Sequence, residues 1–239
     1  MNSEVTVFEA SGPIAMFRKP YTTTSSVSFA FPPPTAIAGM IAAIIGIPNG
    51  SSNEPSNAQY WPYMRRTRVA VRIMAEVKWK KHSLNFSNTK NPQDNPRIQV
   101  KHQFVDSPRY RIYVTGQLEE RLREFLESGC FIYTPCLGTA YAIADLTYIE
   151  TFPWQPVKED VIGVDTVVPW NEDLEVDVLR SQGIFREIVP FKFDEERTLI
   201  ESKTVLYQPS PASKIYLRRR DGLDVTQCGE DVVAWFPPW

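Results

Sequence analysis

A chain of 239 residues with 43% hydrophobic side chains is long enough for one large domain or two small ones, and too apolar to be disordered. Its three cysteines, Cys130, Cys136 and Cys228, are an odd set with no CxxC pair, which argues against a disulfide framework or zinc ribbon and for a reducing cytoplasm. The net charge of −2 hides an asymmetry: residues 61–115 hold twelve Lys/Arg against three acids, +9 locally, so the remainder carries −11. A cationic block in an otherwise acidic chain predicts one face for a polyanion and another for solvent or protein partners.

Residues 3–9 alternate, with Val5 and Val7 on one face, and read as a first strand. The opening MNSEVTVFEA has no basic region followed by an apolar run, and no other segment is long enough to span a bilayer, so a soluble protein without membrane contact is expected. Gly12 and Pro13 interrupt the extended chain. Arg18 and Lys19 then precede the hydroxyl run Tyr21, Thr22, Thr23, Thr24, Ser25 and Ser26, and no Asp or Glu occurs from Ala10 to Asn53.

The stretch FAFPPPTAIAGMIAAIIGI, residues 29–47, is the centre of the pattern. Ile37, Met40, Ile41, Ile44 and Ile45 share one helical face, and the other face carries only Ala and Gly. Such a helix is apolar all round and should be buried; at about 1.5 Å per residue it is roughly 20 Å long, too short for a membrane span. The prolines mark its start and Thr35 is expected to cap its first turn. Free helix amides beside cations and hydroxyls, without a carboxylate, are a favourable place for phosphate. The plainer alternative is a Ser/Thr-rich loop next to a core helix.

Residues 48–59 form a polar loop. Residues 66–79 are predicted as one long strand, with Val69, Val71, Ile73, Ala75, Val77 and Trp79 inward and Arg68, Arg72, Glu76 and Lys78 outward. The polar segment 82–96 separates it from IQVKHQF and PRYRIYVTG and predicts a protruding hairpin or flexible arm, since nothing in 87–97 could bury itself. In the strand over 108–115, Tyr110, Ile112 and Val114 share one face and Arg109, Arg111 and Tyr113 the other. Thr115 is expected to cap a second, amphipathic helix carrying Leu118, Leu122, Phe125 and Leu126 and ended by Gly129. The turn at 135–138 leads to a strand over 140–152.

The order strand, helix, strand, strand, helix, strand is the split βαβ pattern (βαββαβ) of ferredoxin-like and RNA-recognition folds, an α+β class. It predicts a domain over 1–152 with a protruding hairpin at about 80–107. From 153 to 239, short β-branched runs at 161–168, 174–179, 188–193, 198–207 and 214–219 predict a small β-rich C-terminal subdomain without helices. The aromatic tail Trp235-Phe236-Pro237-Pro238-Trp239 must pack on something.

No GxxxxGK[ST], HExxH, GxSxG or DxDxDG is present, so ATPase, zincin, serine hydrolase and EF-hand chemistries lack support; no cofactor and no metal is expected. Cys136 reads as a small buried hydrophobe. The only two histidines, His82 and His102, fall in the cationic arm. Lys101-His102-Gln103-Phe104 brings together a cation, a proton-transfer group and an aromatic, the ingredients of metal-independent RNA cleavage with His102 as base and Lys101 at the phosphorane. The alternative favoured here is a grip, with Phe104 stacking on a base and Lys101 meeting phosphate, because a general base needs an orienting partner and none is identifiable.

These residues resemble a known family. Gly12-Pro13 to Phe17-Arg18 followed by Ser28-Phe29-Ala30-Phe31-Pro32-Pro33-Pro34-Thr35-Ala36-Ile37-Ala38-Gly39-Met40 is similar to the "GP…FR" strand and "FPPxTxxxGxxxAxxG" helix of CRISPR-associated family five proteins. Pro108-Arg109-Tyr110-Arg111-Ile112-Tyr113-Val114 resembles the family's "NPxYRIYV" strand, and Pro135-Cys136-Leu137-Gly138 its "PYLG" turn, with Cys136 where Tyr is usual. The match covers roughly 1–152 and fades beyond.

The resemblance implies a RAMP-type subunit of a type I Cascade complex, resembling the type I-B-like branch, with the hairpin as a thumb. Such a subunit caps the backbone, holds the 5′ handle of the CRISPR RNA, contacts the backbone and large subunits, and meets target DNA only indirectly. One branch of the family is itself the RNA-processing nuclease; its catalytic Tyr, Lys and His have no assigned positions in this chain. The expected RNA-binding set is Arg18, Lys19, Thr35, Lys101, His102, Gln103, Phe104, Arg109 and Arg111. Two rivals stand beside this non-catalytic scaffold: an endoribonuclease using His102 and Lys101, and a protein-interaction module whose basic block binds an acidic partner.

Overall fold

The computed structural model describes residues 4–22, 25–50, 58, 60–90, 92–94, 96–159 and 161–239; Thr23, Thr24 and most of the 48–59 loop fall outside these. The N-terminal half runs β1 (Glu4–Ser11), β2 (Ile14–Ala15), β3 (Phe17–Arg18), β4 (Ser25–Ser26), β5 (Ser28–Phe29), α1 (Pro34–Ile45), β6 (Thr67–Ile73), β7 (Lys78–Ser87), β8 (Arg97–Asp106), β9 (Arg109–Gly116), α2 (Glu119–Ser128) and β10 (Asp145–Pro153).

Four of these strands form an antiparallel sheet in the order β10-β1-β9-β6. β1 can lie inside it because both of its faces are buried: Thr6, Phe8 and Ala10 on one, Val5 and Val7 on the other. Phe8, Val69, Val71, Ile112 and Val114 meet Ile37, Ile41, Leu122 and Leu126, so both helices lie on the same side. Each such aliphatic side chain contributes about 1.5–3 kcal/mol on burial, and the C-terminal carbonyls of α1 are held as well, Ile45 by the Arg121 guanidinium (2.7 Å) and Ala43 by the Tyr133 amide (2.9 Å).

The start of α1 differs from expectation. Pro33 occupies the capping position, Pro34 is the first helical residue, and Thr35 makes no capping bond. The Pro33 carbonyl accepts from the amides of Ala36 (2.8 Å) and Ile37 (3.1 Å). Three successive prolines supply no N–H, and all three are buried. In place of the amide cradle predicted for phosphate, the first turn is left with the single amide of Thr35. Thr115 likewise does not cap α2; it belongs to β9, and its hydroxyl donates to the Glu4 carbonyl (2.6 Å). Both C-terminal signals hold: Gly46 and Gly129 end their helices in the left-handed conformation, at φ 75° and 66°.

The long strand predicted over 66–79 is two strands. β6 stops at Ile73, the Met74 amide donates to the Arg109 carbonyl (2.8 Å) and the Val77 amide to the Pro209 carbonyl (3.0 Å), and the chain leaves the sheet. β7 then pairs with β8 alone among the described residues, as a hairpin of ten residue pairs running from Lys78 opposite Asp106 to Ser87 opposite Arg97. The break resets the alternation, so Trp79, expected inward, is 44% exposed.

The C-terminal region consists of β11 (Gln155–Pro156), β12 (Ile162–Val164), β13 (Val168–Pro169), β14 (Leu174–Val176), β15 (Phe185–Phe193), β16 (Leu199–Tyr207), β17 (Ile215–Arg220), β18 (Val225–Cys228) and β19 (Asp231–Ala234). Its core is not separate. Val189, Phe191, Val205, Tyr207, Phe236 and Trp239 join the main cluster under α1, while a second cluster around Val164, Leu217 and Val225 is its own. The unforeseen β18–β19 pair covers the second face of the four-stranded sheet, with Cys228, Val233 and Trp235 on Val5, Val7, Ala70 and Tyr113. The aromatic tail finds its partner on the outer edge of β6: the amides of Phe236 and Trp239 donate to the carbonyls of Val69 and Thr67.

Candidate nucleic-acid interface

Side chains alternate along a strand, so the β7–β8 hairpin has two distinct faces. One carries Trp79, Lys81, Ser83, Asn85 and Ser87 opposite Val105, Gln103, Lys101, Gln99 and Arg97. Lys81, Lys101 and Arg97 are exposed and have no ion-pair partner among the described residues. The rest of this polar stretch is hydroxyls and amides. β4 adds itself to the free edge of β8, pairing Ser25 with Lys101 and Ser26 with His102 in parallel. Residues 25–27, 81–83 and 101–103 together line a cleft of about 490 Å³.

The other face is aromatic and aliphatic. His102 stacks on Phe104 (5.7 Å between centroids, 13° between planes), Phe86 leans on His102 (5.6 Å), and Tyr141 meets the edge of Phe104 (6.3 Å). His102 Nδ1 lies 3.1 Å from the Val100 carbonyl. Lys80, also on this face, is 3.6 Å from Asp106.

This division corrects several expectations. Phe104 is 2% exposed and His102 6%, so neither is presented to a ligand; the large aromatics left open at the hairpin are Trp79 on the cationic face, 44% exposed, and Phe86 on the other, 41%. Lys101 and Gln103 do face the cleft, and they do so together with Lys81 and Ser83, which the linear pattern does not single out. In sequence the tetrapeptide 101–104 looks like one constellation, whereas strand geometry sends alternate members to opposite sides. Pairing 78–87 with 97–106 and counting in twos is the signal that finds Lys81 and Ser83.

Lys19 and the two arginines of β9 are also engaged. Lys19 Nζ donates to Glu187 (2.6 Å) and sits 5.1 Å over the Phe29 ring, held by the C-terminal region. Arg109 Nε donates to Glu9 (2.6 Å), while Arg111 donates to Glu9 (2.7 Å) and to Asp231 (2.8 Å). Arg72 and the Tyr113 hydroxyl also donate to Asp231. Burial works to raise the Glu9 carboxyl, but hydrogen bonds and charges from Arg109 and Arg111 outweigh it and hold the group below the ordinary carboxylate range. Arg111, with Arg72, fastens β19 to the sheet, while Arg109 pairs with Glu9 of β1 and keeps 54% of its side chain exposed. Arg18 alone of the N-terminal cations stays exposed, its guanidinium donating to the Thr22 carbonyl (2.9 Å).

The cationic block thus divides in space. Arg68, Arg72, Arg109 and Arg111 meet carboxylates at Asp224, Asp165, Asp231 and Glu9, most of them from the acidic C-terminal region. Of the cations left without a carboxylate among the described residues, Lys81, Lys101 and Arg97 share one face of the hairpin, whereas Lys78 stands on the other and Arg65 and Arg66 lie before β6.

The family model described as CRISPR-associated protein (Cas_Cas5) matches residues 5–160. No curated protein matches the chain. Among solved structures, a CRISPR protein from Archaeoglobus fulgidus is similar at 15% identity and a TM-score of 0.57, covering 98% of this chain and 99% of that one. A chain of a CRISPR RNA-guided surveillance complex is similar at 14% identity and a TM-score of 0.55, covering 89% and 91%. A chain of the Type III-B Cmr-beta complex bound to cognate target RNA and AMPPnP is similar at 11% identity and a TM-score of 0.53, covering 90% and 86%. At these identities the structural likeness speaks to fold, and the family match, which spans more than half of the residues and includes the proline-led helix, the hairpin and β9, speaks to descent: the chain belongs to the CRISPR-associated Cas5 family.

Proposed function

We propose that this chain is the CRISPR RNA-binding scaffold subunit of a type I effector complex in antiviral defence, holding the 5′ handle of the CRISPR RNA and capping the backbone, without catalysing a reaction. The observation that carries this reading is the uncompensated cationic face of the β7–β8 hairpin, with Lys81, Lys101 and Arg97 set among hydroxyls and amides beside the cleft under Ser25. Such a surface tracks a phosphate backbone. The sheet order β10-β1-β9-β6 with both helices on one side agrees with a ferredoxin-like RAMP domain, and the hairpin is its thumb. The second sheet face, where RNA-recognition folds stack bases, is covered here by β18–β19, which leaves the hairpin side for RNA.

A binding role is favoured over the endoribonuclease alternative because Lys101 and His102 stand on opposite sides of β8 and His102 is buried. Backbone and large subunits are the protein partners of this reading, and target DNA is met only through the guide. Cytoplasmic residence belongs to it too, supported by three free cysteines. No helix among the described residues is long and apolar enough to cross a membrane.

The test is purified protein with labelled precursor CRISPR RNA in EDTA, read for retention and cleavage. Retention without cleavage is expected. Discrete cleavage with a cyclic phosphate end would replace the scaffold with the nuclease, and indifference to RNA would favour a protein-interaction module.

A further inference from the structure

We propose that Trp79 is a base-stacking platform, taking one unpaired nucleobase of a strand whose phosphates run along Lys81, Lys101 and Arg97; this rests on the RNA-binding reading of the same hairpin. Trp79 shares the cationic face and lies two residues before Lys81, about 6.6 Å nearer the body at the rise of an extended strand. Five of the six tryptophans are occupied: Trp61 and Trp239 with each other, Trp154 with Trp235, and Trp170 under Arg186. Trp79 is the exception, 44% exposed and without a ring or cation against it among the described residues. Its cross-strand neighbour Val105 is buried in the main core, so the indole stands on a rigid footing where the hairpin leaves the body.

A flat, open indole beside unpaired cations fits a single-stranded nucleic acid, because stacking needs only a π-face and so works with any base. Apart from the buried Val105, the apolar side chains of the hairpin besides Trp79, namely Leu84, Phe86, Val100 and Ile98, belong to the opposite face, so a protein contact through apolar area would be made there and not at Trp79.

Fluorescence anisotropy with a labelled, unstructured RNA oligonucleotide tests this on the full chain. Trp79→Ala should raise Kd about 5- to 150-fold, the loss of one stacked base. The slope of log Kd against log salt should stay unchanged, since every phosphate keeps its cation. Trp79→Tyr should recover most of the affinity, and RNA should quench indole emission in the wild type but not in Trp79→Ala. Unchanged affinity in Trp79→Ala, while Lys81→Ala and Lys101→Ala weaken binding, would overturn the stacking role and leave the RNA reading standing. Equal losses in Trp79→Ala and Trp79→Tyr would also overturn it. Failure of the wild type to bind RNA would overturn the parent reading and this inference with it.

Discussion

Lys101 and His102 are neighbours in sequence and stand on opposite faces of the β7–β8 hairpin, one exposed beside a cleft and the other stacked against Phe104 with 6% exposure. Both residues border the cleft, but their side chains leave the strand in opposite directions and only that of Lys101 is open to solvent.

Lys81 and Lys101 should therefore neutralise phosphate and nothing more. Replacing either with Ala is expected to weaken RNA binding across sequences and to flatten the log–log salt dependence by about 0.7 for each phosphate left without its cation. Arg18→Ala should behave in the same way if the bound strand reaches the N-terminal segment. A salt titration of the variants measures this, and unaltered slopes for both lysines would move the RNA elsewhere.

Phe104→Ala should act through stability. The ring is buried among His82, His102 and Tyr141, and its removal is expected to cost about 3–5 kcal/mol in denaturant unfolding, as for other buried Phe truncations. Phe104→Leu fills much of the space and should bind RNA as the wild type does. A Phe104→Leu protein that is fully folded but unable to bind would restore a direct role for the ring.

Arg111→Ala leaves Glu9 and Asp231 buried without their shared partner, at side-chain exposures of 9% and 5%. Glu9 keeps Arg109 and Asp231 keeps Arg72 and Tyr113, so the loss should fall below the roughly 3–5 kcal/mol of a buried charge left with no partner. The pH dependence has a definite sign. The Glu9 carboxyl sits below its unfolded value of about 4.3, so its stabilisation is complete above that pH and is lost as pH falls through the lowered folded value. Glu9→Gln should be less stable than the wild type at neutral pH and show a weaker decline on acidification. Parallel unfolding curves for both proteins across that range would contradict it.

Gly138 has φ +92°, and a Cβ there would lie 2.1 Å from the Met16 carbonyl oxygen. Gly138→Ala must move backbone as well as accept a strained conformation, a cost of at least about 1–3 kcal/mol. The Leu137 carbonyl receives the Met16 amide at this crossing, so the damage should reach the strands leading to β4. Thermal unfolding with and without RNA would register both effects.

Local signals make much of this molecule readable. α1 is legible because its apolar residues repeat at helical spacing between three prolines and a glycine, and the β8, β9 and α2 patterns are legible for similar reasons. The break after Ile73 is not, because Ala75, Val77 and Trp79 continue an alternation that only the Met74 and Val77 hydrogen bonds interrupt. The fate of the arginines is hidden too. Arg109 and Arg111 find carboxylates at Glu9 and Asp231, a hundred or more residues away, and sequence distance carries no record of that pairing. β18–β19 escapes notice because four-residue strands hold too few positions for a periodicity to stand out.

The cover that β18–β19 places on the sheet also decides which fragments can exist. A polypeptide stopped near residue 152 would open Val5, Val7, Ala70 and Tyr113 to water and take from Arg72 and Arg111 the carboxylate of Asp231. Under α1 it would lose Phe191, Val205, Phe236 and Trp239 as well. Such a piece contains every residue of the candidate RNA face and yet should be far less stable than the whole, so the point where the sequence changes character is a poor place to cut a minimal RNA-binding module.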